Sequence, residues 1–377
     1  MIHTVGIVAE YNPFHTGHIY QIQETKKKTG AGLFIAVMSG NFVQRGEPAC
    51  IDKYSRAKAA LSSGIDVVLE LPYIYCIQSA SAFAHGAVTI LKQAGVDAIS
   101  FGSECGDLEN LKEIADTPVN PDHLHMSLKQ GMSFPKAYGL LTSEMMPNDI
   151  LAVCYLKELQ NSGIEPVLIP RTTNYLNETA DGPVASAMAI RRMLKDLHDV
   201  SAYTPMAEQL AKAHVPSMEQ MWPYLRLFLL TAPREYLASL FLFSEGIENH
   251  LAACAAQYAD WNLLLNAAVT PRYTASRIRR TLLQVLTQTT KAEVSKLPPL
   301  DYIHVLGFNE KGQKWLHDCR KKEMHIASRF ADIPYPYRAM EYRASLAYAS
   351  FFEEQQRRDL LKQEIGGAQR VTLSSEG

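Results

Sequence analysis

The sequence predicts an α/β protein in which a parallel sheet is followed by a mainly helical C-terminal half. Over the first 170 residues, short apolar runs alternate with segments of helical periodicity, a pattern typical of βαβ units. From about Ala185 onward the strand signals almost disappear. With 47% hydrophobic and 20% charged residues, the composition excludes a disordered chain, a collagen-like repeat and a coiled coil. A chain of 377 residues is long enough for about two or three domains.

Five apolar runs predict the strands of the sheet, and each of the first four ends at a polar or glycine-bearing turn. The predicted strands are Thr4–Glu10, Leu33–Ser39, Asp66–Leu71, Ala98–Gly102 and Pro166–Pro170. The segments between them predict helices at Gly17–Lys27, Ser55–Ser63 and Ser79–Ala94. Because the carboxyl ends of parallel strands line the ligand crevice of an open sheet, we expect the functional site at these turns.

The second half predicts a succession of helices with one short strand, at Tyr302–Gly307. The predicted helices are Ala185–Leu197, Met206–Ala213, Met218–Leu230, Arg234–Glu245, Glu248–Tyr258, Asn262–Ala268, Ser276–Gln288 and Glu310–Lys321. We therefore predict a sheet-containing domain over 1–195, a helical domain over 196–366 and a flexible tail over 367–377.

The net charge of −2 is the sum of two unlike halves. Residues 1–190 hold 13 Lys and Arg against 19 Asp and Glu, whereas residues 191–377 hold 24 against 20. The basic balance of the second half indicates that this half meets a polyanion.

Compartment and metal content follow from what the sequence lacks. Its apolar runs fall short of the ~18 residues of a membrane span, and its start does not resemble a signal peptide, so we expect a cytoplasmic protein with no membrane or DNA partner. The cysteines at 50, 76, 105, 154, 254 and 319 are never spaced Cys-x-x-Cys, which predicts free thiols and no zinc or redox motif. We expect no metal held by the protein itself.

The strongest local signal is a predicted strand that enters a sharp turn and then a helix, from Ile7 to His18. His15 and His18 are three residues apart, so they share one face if both lie in the first helical turn. The N–H groups and positive dipole of a helix start attract phosphate, and imidazoles beside it can donate hydrogen bonds to phosphate oxygens. The alternative is a pair of capping or solvated histidines.

His15-Thr16-Gly17-His18 resembles the His-x-Gly-His signature of the nucleotidyltransferase superfamily, whose members bind ATP on a Rossmann-like sheet. That superfamily has a second motif, a serine-bearing turn opening a helix, and Ser186 to Arg191 is similar to its Ser-x-Thr-x-Ile-Arg pattern with Met188 in place of threonine. The resemblance implies that Ser186 caps the helix and donates to a phosphate, and that Arg191 lies over the β- and γ-phosphates.

Longer stretches resemble one family, the bacterial tRNA(Met) cytidine acetate ligases. The stretches are Met38–Pro48, Asp52–Lys58, Leu69–Pro72, Gln78–Val88, Phe101–Glu104, Glu245–His250, Arg272–Thr274 and Tyr302–Asn309. The chain departs from the family pattern at Pro271, where lysine is expected, and at His304, where arginine is expected.

This resemblance implies activation of acetate by ATP to acetyl-adenylate and pyrophosphate. The acetyl group then passes to the exocyclic amine of the wobble cytidine of elongator tRNA(Met), and AMP is released. The implied ATP contacts are Ile7, Val8, Ala9, Glu10, Tyr11, Asn12, Pro13, Phe14, His15, Thr16, Gly17, His18, Ile19, Tyr20, Gly102, Asn148 and Arg171. Mg²⁺ is expected to accompany the nucleotide and bridge its phosphates.

Attack of a carboxylate on an α-phosphate depends on positioning and on cationic donors, because acetate is already an anion. We expect His15, His18, Lys53, Arg56 and Arg191 to be these donors, with a solvated helix face as the alternative for Lys53 and Arg56. A pocket for the unstacked cytidine is expected near Asn41, Gln44 and Arg45.

Basic helices of the second half are the expected tRNA surface. The predicted contacts are Arg272, Tyr273, Arg277, Arg279 and Arg280, with a second group at Lys311, Lys314, Arg320, Lys321 and Lys322. The alternative for each group is a solvated helix face. Two other functions stay open at this stage: an adenylyltransferase acting on a small molecule without RNA, and a nucleotide-binding scaffold without catalysis.

Overall fold

The computed structural model describes residues 1–118, 145–171 and 185–372. The strands are β1 Thr4–Ala9, β2 Leu33–Ser39, β3 Phe42–Val43, β4 Glu47–Pro48, β5 Val67–Leu71, β6 Ala98–Ser103, β7 Glu165–Pro170, β8 Ile303–Phe308, β9 Ile326–Ala327 and β10 Gln369–Arg370. The helices are α1 Thr16–Thr29, α2 Lys53–Ser62, α3 Tyr73–Cys76, α4 Ala80–Gln93, α5 Leu108–Asp116, α6 Pro147–Leu159, α7 Ala187–Lys195, α8 Ala207–Lys212, α9 Met218–Thr231, α10 Arg234–Ser239, α11 Ile247–Gln257, α12 Trp261–Ala268, α13 Ala275–Thr287, α14 Lys291–Val294, α15 Glu310–Lys321, α16 Tyr335–Ala349 and α17 Glu354–Gly366.

The main sheet has the strand order β10-β8-β5-β2-β1-β6-β7, with β9 paired to β8. Strands β5, β2, β1, β6 and β7 are mutually parallel, while β8 runs antiparallel to β5. The chain builds outward from β1 to β2 and β5 and then crosses to β6 on the other side. The order therefore reverses between β1 and β6, and the crevice at the carboxyl ends of these two strands is the place where such sheets bind ligands. The predicted α/β class is confirmed.

Both faces of the sheet are covered, which explains why its inner strands are continuous apolar runs. On one face, Ile35 and Val37 pack with the α4 side chains, including Val88. On the other face, Phe34 and Met38 pack in the cluster that includes residues of α1 and α2. Alternate residues of β2 thus enter opposite layers, as the period of two along a strand requires.

The last third of the chain returns to the sheet, which corrects part of the predicted division. β8 lies in the segment assigned to a helical domain, yet it pairs with β5 from the first half. Gln369–Arg370 extends the sheet beside β8, so the prediction of a flexible tail is wrong at its start, while residues 373–377 lie outside the described part. The core of the helical half also takes in Phe42 and Tyr73. The boundary near residue 195 stays a prediction.

Two predicted helices show how local backbone geometry determines where a helix starts and ends. α15 has the predicted bounds, with Asn309 capping its start through a hydrogen bond from Gly312 N–H to Oδ1 at 3.0 Å. α10 ends at Ser239 instead of Glu245, because Leu240 adopts an extended backbone conformation, and the left-handed conformations of Leu242 and Glu245, with φ of 66° and 59°, keep the helix from resuming. α16 and α17 were not predicted.

No helix in the described part of the chain is long and apolar enough to cross a membrane. The cysteines are free, as predicted, and Cys50, Cys76, Cys254 and Cys319 are buried.

Candidate active site

The turn after β1 is a tightly held backbone segment at the carboxyl end of the sheet. Tyr11 adopts a left-handed conformation with φ of 49°, and a cis peptide bond joins Asn12 to Pro13. Oδ1 of Asn12 accepts from Cys50 N–H at 2.8 Å, and its carbonyl accepts from Arg191 Nη1 at 2.7 Å. These bonds from distant parts of the chain hold a backbone conformation that a tyrosine rarely adopts.

His15 and His18 cap the start of α1 together. Gly17 N–H donates to Nδ1 of His15 at 3.0 Å, and His15 N–H donates to Nδ1 of His18 at 3.1 Å. The two rings are stacked, with centroids 3.8 Å apart. Because Nδ1 of each ring accepts a hydrogen bond, the proton of each neutral imidazole is on Nε2. Each ring therefore offers an Nε2–H donor, which is the group that a phosphate oxygen requires.

The same histidines are neutral at pH 7. Burial, with the guanidinium groups of Arg171 and Arg191 adding to it, lowers the pKa of His15 to about 3. Burial, then His15 and Arg171, lowers the pKa of His18 well below its usual value. The cations that depress these pKa values stand close to the histidines, so the site carries a positive potential suited to a polyanion.

The second predicted phosphate motif reaches the same turn. Ser186 is the N-cap of α7, and its Oγ accepts from Ala189 N–H at 3.0 Å, so the predicted cap is confirmed. Arg191 lies one turn further on and holds Asn12. The structure therefore brings both motifs together, although more than 160 residues separate them.

Gly102, Asn148 and Arg171 meet at the ends of β6 and β7. Arg171 N–H donates to Ser103 O at 2.9 Å, which continues the pairing of the two strands. A Cβ at Gly102 would lie 3.4 Å from Cγ of Arg171, at ordinary van der Waals distance, so Gly102 stands directly against that arginine. Asn148 opens α6, and its backbone N–H donates to Glu104 Oε2 at 3.1 Å. The predicted nucleotide contacts are thus collected on the β6 side of the crevice.

The prediction that Lys53 donates to phosphate is contradicted by its environment. Its side chain is 1% exposed, and Nζ donates to Oε1 of Glu70 at 2.7 Å and Oε1 of Glu364 at 2.8 Å. Arg56 is likewise fully buried and donates to the backbone carbonyls of Ile51, Glu10, Ser39 and Gly40. The solvated-face alternative is also wrong, since both cations are internal structural groups.

The loop predicted to form the cytidine pocket lies beside β1. Gln44 N–H donates to Glu10 Oε1 at 2.9 Å, and Gln44 Nε2 donates to Gln78 O at 3.1 Å. Asn41 Nδ2 donates to Ser345 Oγ on α16 at 3.4 Å. The loop is thereby fixed next to the first turn, and its role toward cytidine stays a prediction.

Most of the predicted tRNA contacts are engaged within the protein. Tyr273 is 7% exposed, with its ring beneath Arg277, so it offers no free face to a base. Arg279 pairs with Glu47 at 2.8 Å, and Arg280 Nη1 donates to Gln44 O at 3.1 Å. These bonds attach α13 to the β3–β4 ribbon. No hydrogen bond or ion pair joins Arg272 to another described residue. Its predicted contact with tRNA therefore requires no bond within the described part of the protein to be broken.

No group of three or more His, Cys, Asp or Glu side chains among residues 1–118, 145–171 and 185–372 is arranged to hold a metal ion. We assign no step to a metal. Magnesium that arrives with ATP is bound mainly by the phosphates and water.

Three residues that support the site were missed. Thr204 Oγ1 donates to Phe14 O at 2.6 Å, and Tyr203 O accepts from Thr16 N–H at 2.9 Å, a contact that no local pattern reveals. Glu104 follows β6 directly and lies within hydrogen-bond distance of Asn148. An acidic residue after a strand that ends in Gly-Ser was the available signal.

Similarity to known proteins agrees with this geometry. The model of a family described as HIGH nucleotidyl transferase matches residues 2–364. The tRNA(Met) cytidine acetate ligase of Geobacillus sp. strain WCH70 is 35% identical over 392 residues, which cover 96% of this chain and 97% of the relative. That of Bacillus subtilis strain 168 is 33% identical, covering 97% and 96%.

Solved structures extend the similarity to the fold. The apo crystal structure of Thermotoga maritima TmcAL matches with a TM-score of 0.90 and 31% identity, covering 98% of this chain and all of the other. The structure of the same protein bound with alpha-thio ATP matches with a TM-score of 0.86. The chain thus belongs to the tRNA(Met) cytidine acetate ligase family of HIGH nucleotidyl transferases.

Proposed function

We propose that this enzyme uses ATP to ligate acetate to the exocyclic amine of a cytidine in tRNA(Met). The observation that carries the proposal is the stacked histidine pair, whose two Nε2–H donors stand at the start of α1 beside Arg171 and Arg191. The curated relatives of nearly full length carry this activity in their name. The adenylyltransferase and scaffold alternatives are not favoured.

The first step is attack of an acetate oxygen on the α-phosphorus of ATP. The bond from that phosphorus to the bridging oxygen breaks, and pyrophosphate leaves with the electron pair. Charge grows on the phosphate oxygens as this happens, and the Nε2–H donors of His15 and His18 are preorganised to stabilise it. The guanidinium of Arg191 is held by the Asn12 carbonyl near the same place, where it neutralises the departing group.

In the second step the cytidine amine attacks the carbonyl carbon of acetyl-adenylate. The C–N bond forms, the bond from the carbonyl carbon to the phosphate oxygen breaks, AMP leaves and the amine loses a proton. The wobble position of elongator tRNA(Met) is the proposed target, as the family resemblance implies. A base in an anticodon loop can be unstacked to reach the crevice. We propose that Arg272 and the helical half around it contact the tRNA backbone.

The test is incubation of the protein with labelled acetate, ATP and elongator tRNA(Met), with and without the tRNA. Label on the RNA, accompanied by AMP and pyrophosphate in equal amounts, supports the proposal. A protein that forms pyrophosphate with another small molecule while RNA stays unlabelled is an adenylyltransferase instead. ATP binding without any turnover would identify a scaffold. His317→Ala, which removes an exposed histidine of α15, is the matched control for variants of the histidine pair.

A further inference from the structure

Glu104 is a carboxylate that the predicted site did not include, although it stands at the carboxyl end of β6. Its Oε2 accepts hydrogen bonds from the backbone N–H groups of Asn148 at 3.1 Å and Asp149 at 3.2 Å. Both N–H groups belong to the first turn of α6, where a helix has no internal partners for them and favours an anion. Glu104 thus caps a helix from outside that helix.

The second oxygen of Glu104 determines how the Asn148 side chain is turned. Oε1 accepts a hydrogen bond from Nδ2 of Asn148. A carboxylate accepts hydrogen bonds and donates none, so only the NH₂ end of the amide can face Glu104. Oδ1 of Asn148 is then the end available to a ligand, and no described residue donates a hydrogen bond to it. At this position the protein presents an acceptor.

Glu104 also reaches Arg171, which directly follows β7. Its Oε1 lies 3.9 Å from Nε of Arg171, and the two side chains are 10% and 26% exposed. The guanidinium of Arg171 is close enough to the histidine pair to depress both imidazole pKa values. One carboxylate therefore contacts both Asn148 and Arg171. Through Arg171 it also influences the electrostatic potential at the histidines.

The support is reciprocal, which makes the arrangement rigid. Asp149, 4% exposed, accepts hydrogen bonds from Ser103 Oγ at 2.5 Å and from the backbone N–H groups of Glu104 at 3.0 Å and Cys105 at 3.3 Å. The turn after β6 caps α6, and α6 in return holds that turn. A site built on mutually fixed elements keeps its acceptor in place before the ligand arrives.

We propose that Glu104 is a positioning residue that sets nucleotide selectivity by fixing Asn148 with Oδ1 toward the ligand. That oxygen accepts a hydrogen bond from a donor on the nucleotide, either the exocyclic amine of the base or a ribose hydroxyl. This inference rests on the proposed function, in that the crevice binds ATP and Asn148 is one of its contacts.

The experiment compares binding of ATP, ITP, 2′-deoxy-ATP and 3′-deoxy-ATP to the wild-type protein and to five variants, one of which is a control. ITP lacks the exocyclic amine, and each deoxy analogue lacks one hydroxyl. The wild type should bind one of these analogues about tenfold more weakly than ATP, the size of one lost hydrogen bond with its acceptor left unpaired, and the affected analogue identifies the donor. Glu104→Ala should reduce the difference in affinity between that analogue and ATP to about twofold, since the Asn148 amide is then free to turn.

Asn148→Ala should remove the same discrimination, and the double variant should remove no more than Asn148→Ala alone. Glu104→Gln should lose much of it as well, because its single amide oxygen cannot accept both from Asn148 Nδ2 and from the backbone N–H groups of α6. Glu113→Ala, an exposed glutamate of α5, is the matched control.

Three results would overturn the inference. The first is a wild-type protein that binds ATP and all three analogues equally. The second is a Glu104→Ala protein that binds all four nucleotides more weakly by one common factor. That result would leave Glu104 as a helix cap only. The third is undiminished discrimination in Asn148→Ala, a variant that keeps the Glu104 cap on the backbone and so remains usable if Glu104→Ala does not fold. A wild-type protein that binds no ATP would contradict the proposed function itself, and is recognisably a different result.

Discussion

At the scale of single residues, the chemistry of the site depends on which nitrogen of each histidine carries the proton. The backbone decides this, because the N–H groups of Gly17 and His15 occupy Nδ1 of His15 and His18. Protonation of Nδ1 would break these bonds, and the neighbouring guanidinium groups oppose it further. The site is therefore held in the donor form without carrying two imidazolium charges.

The depressed pKa of His15 predicts a pH-dependent stability of the ligand-free protein. The unfolded ring takes up a proton below about pH 6.5, whereas the folded ring stays neutral until about pH 3. The unfolded state thus binds more protons in this window, and the free energy of unfolding should fall by about 1.4 kcal/mol per pH unit for this ring as the pH drops from 6.5. Urea unfolding between pH 7.5 and 4.5 should give a shallower decline for His15→Asn, and parallel curves would contradict the shift.

His18→Ala should abolish formation of acetyl-adenylate while leaving tRNA affinity nearly unchanged. The variant removes one of the two Nε2–H donors, and loss of one preorganised donor to developing charge costs on the order of 100-fold or more in rate. Pyrophosphate release and tRNA binding measured on the same preparation test this. An equal loss of both would mean that the two ligands share His18.

At the scale of elements, α13 illustrates how a basic helix can be mistaken for a nucleic-acid surface. Arg280 is largely buried, and burial followed by Arg277 lowers its pKa to about 10. It donates to Gln44 O, while Gly46 in the same ribbon has φ of 79° and no room for a side chain against the backbone of α13. The arginines of this helix thus serve first to attach the ribbon beside the crevice.

This difference predicts opposite effects for two arginines of the same segment. Arg280→Ala should lower the free energy of unfolding by about 1–3 kcal/mol, because it leaves the partly buried Gln44 carbonyl without its donor. Arg272→Ala should leave stability unchanged, weaken tRNA binding and reduce the salt dependence of that binding by about one unit of slope. Unfolding curves and tRNA titrations at several salt concentrations separate the two. A stability loss in Arg272→Ala would contradict the assignment.

The sequence was informative about elements whose signal is local. The strand at Leu33–Ser39 and the helix at Glu310–Lys321 have the predicted bounds. The strand is an almost continuous apolar run, and the helix directly follows its asparagine cap. The histidine motif is likewise a short local pattern. Lys53 was misassigned because its partners lie 17 and 311 residues away, and a charged residue at a helix start looks the same whether it is solvated or internal. α16 and α17 were missed because they carry weak amphipathic patterns in a segment with many charges.

At the scale of the whole molecule, a buried ionic cluster connects the first and last parts of the chain. Lys53 lies between Glu70 and Glu364, and Nδ1 of His304 lies 2.7 Å from Glu70 Oε2. Burial alone would raise the pKa of Glu70, but Lys53 and His304 outweigh it and hold that pKa at about 2. His304, noted as a departure from the family pattern, is thus part of this cluster.

Glu364→Ala should therefore destabilise the protein strongly, although the residue lies near the end of the chain. Removing one partner of a buried ion pair costs about 3–5 kcal/mol, because the other charge is left without compensation. Thermal or urea unfolding measures the loss, and Glu353→Ala, an exposed residue just before the same helix, is the control. A stability equal to that of the control would show that Lys53 finds its compensation in Glu70 alone.

The position of β8 also governs what happens while the protein is being synthesised. More than 230 residues separate Leu71 at the end of β5 from Ile303 at the start of β8. A ribosome adding about 5–20 residues per second needs on the order of 10–50 s to cover that distance. During this time β5, whose five residues are all buried in the finished protein, is an unpaired apolar edge. Nascent chains stalled before residue 303 should aggregate through that edge, whereas complete chains cover it with their own β8.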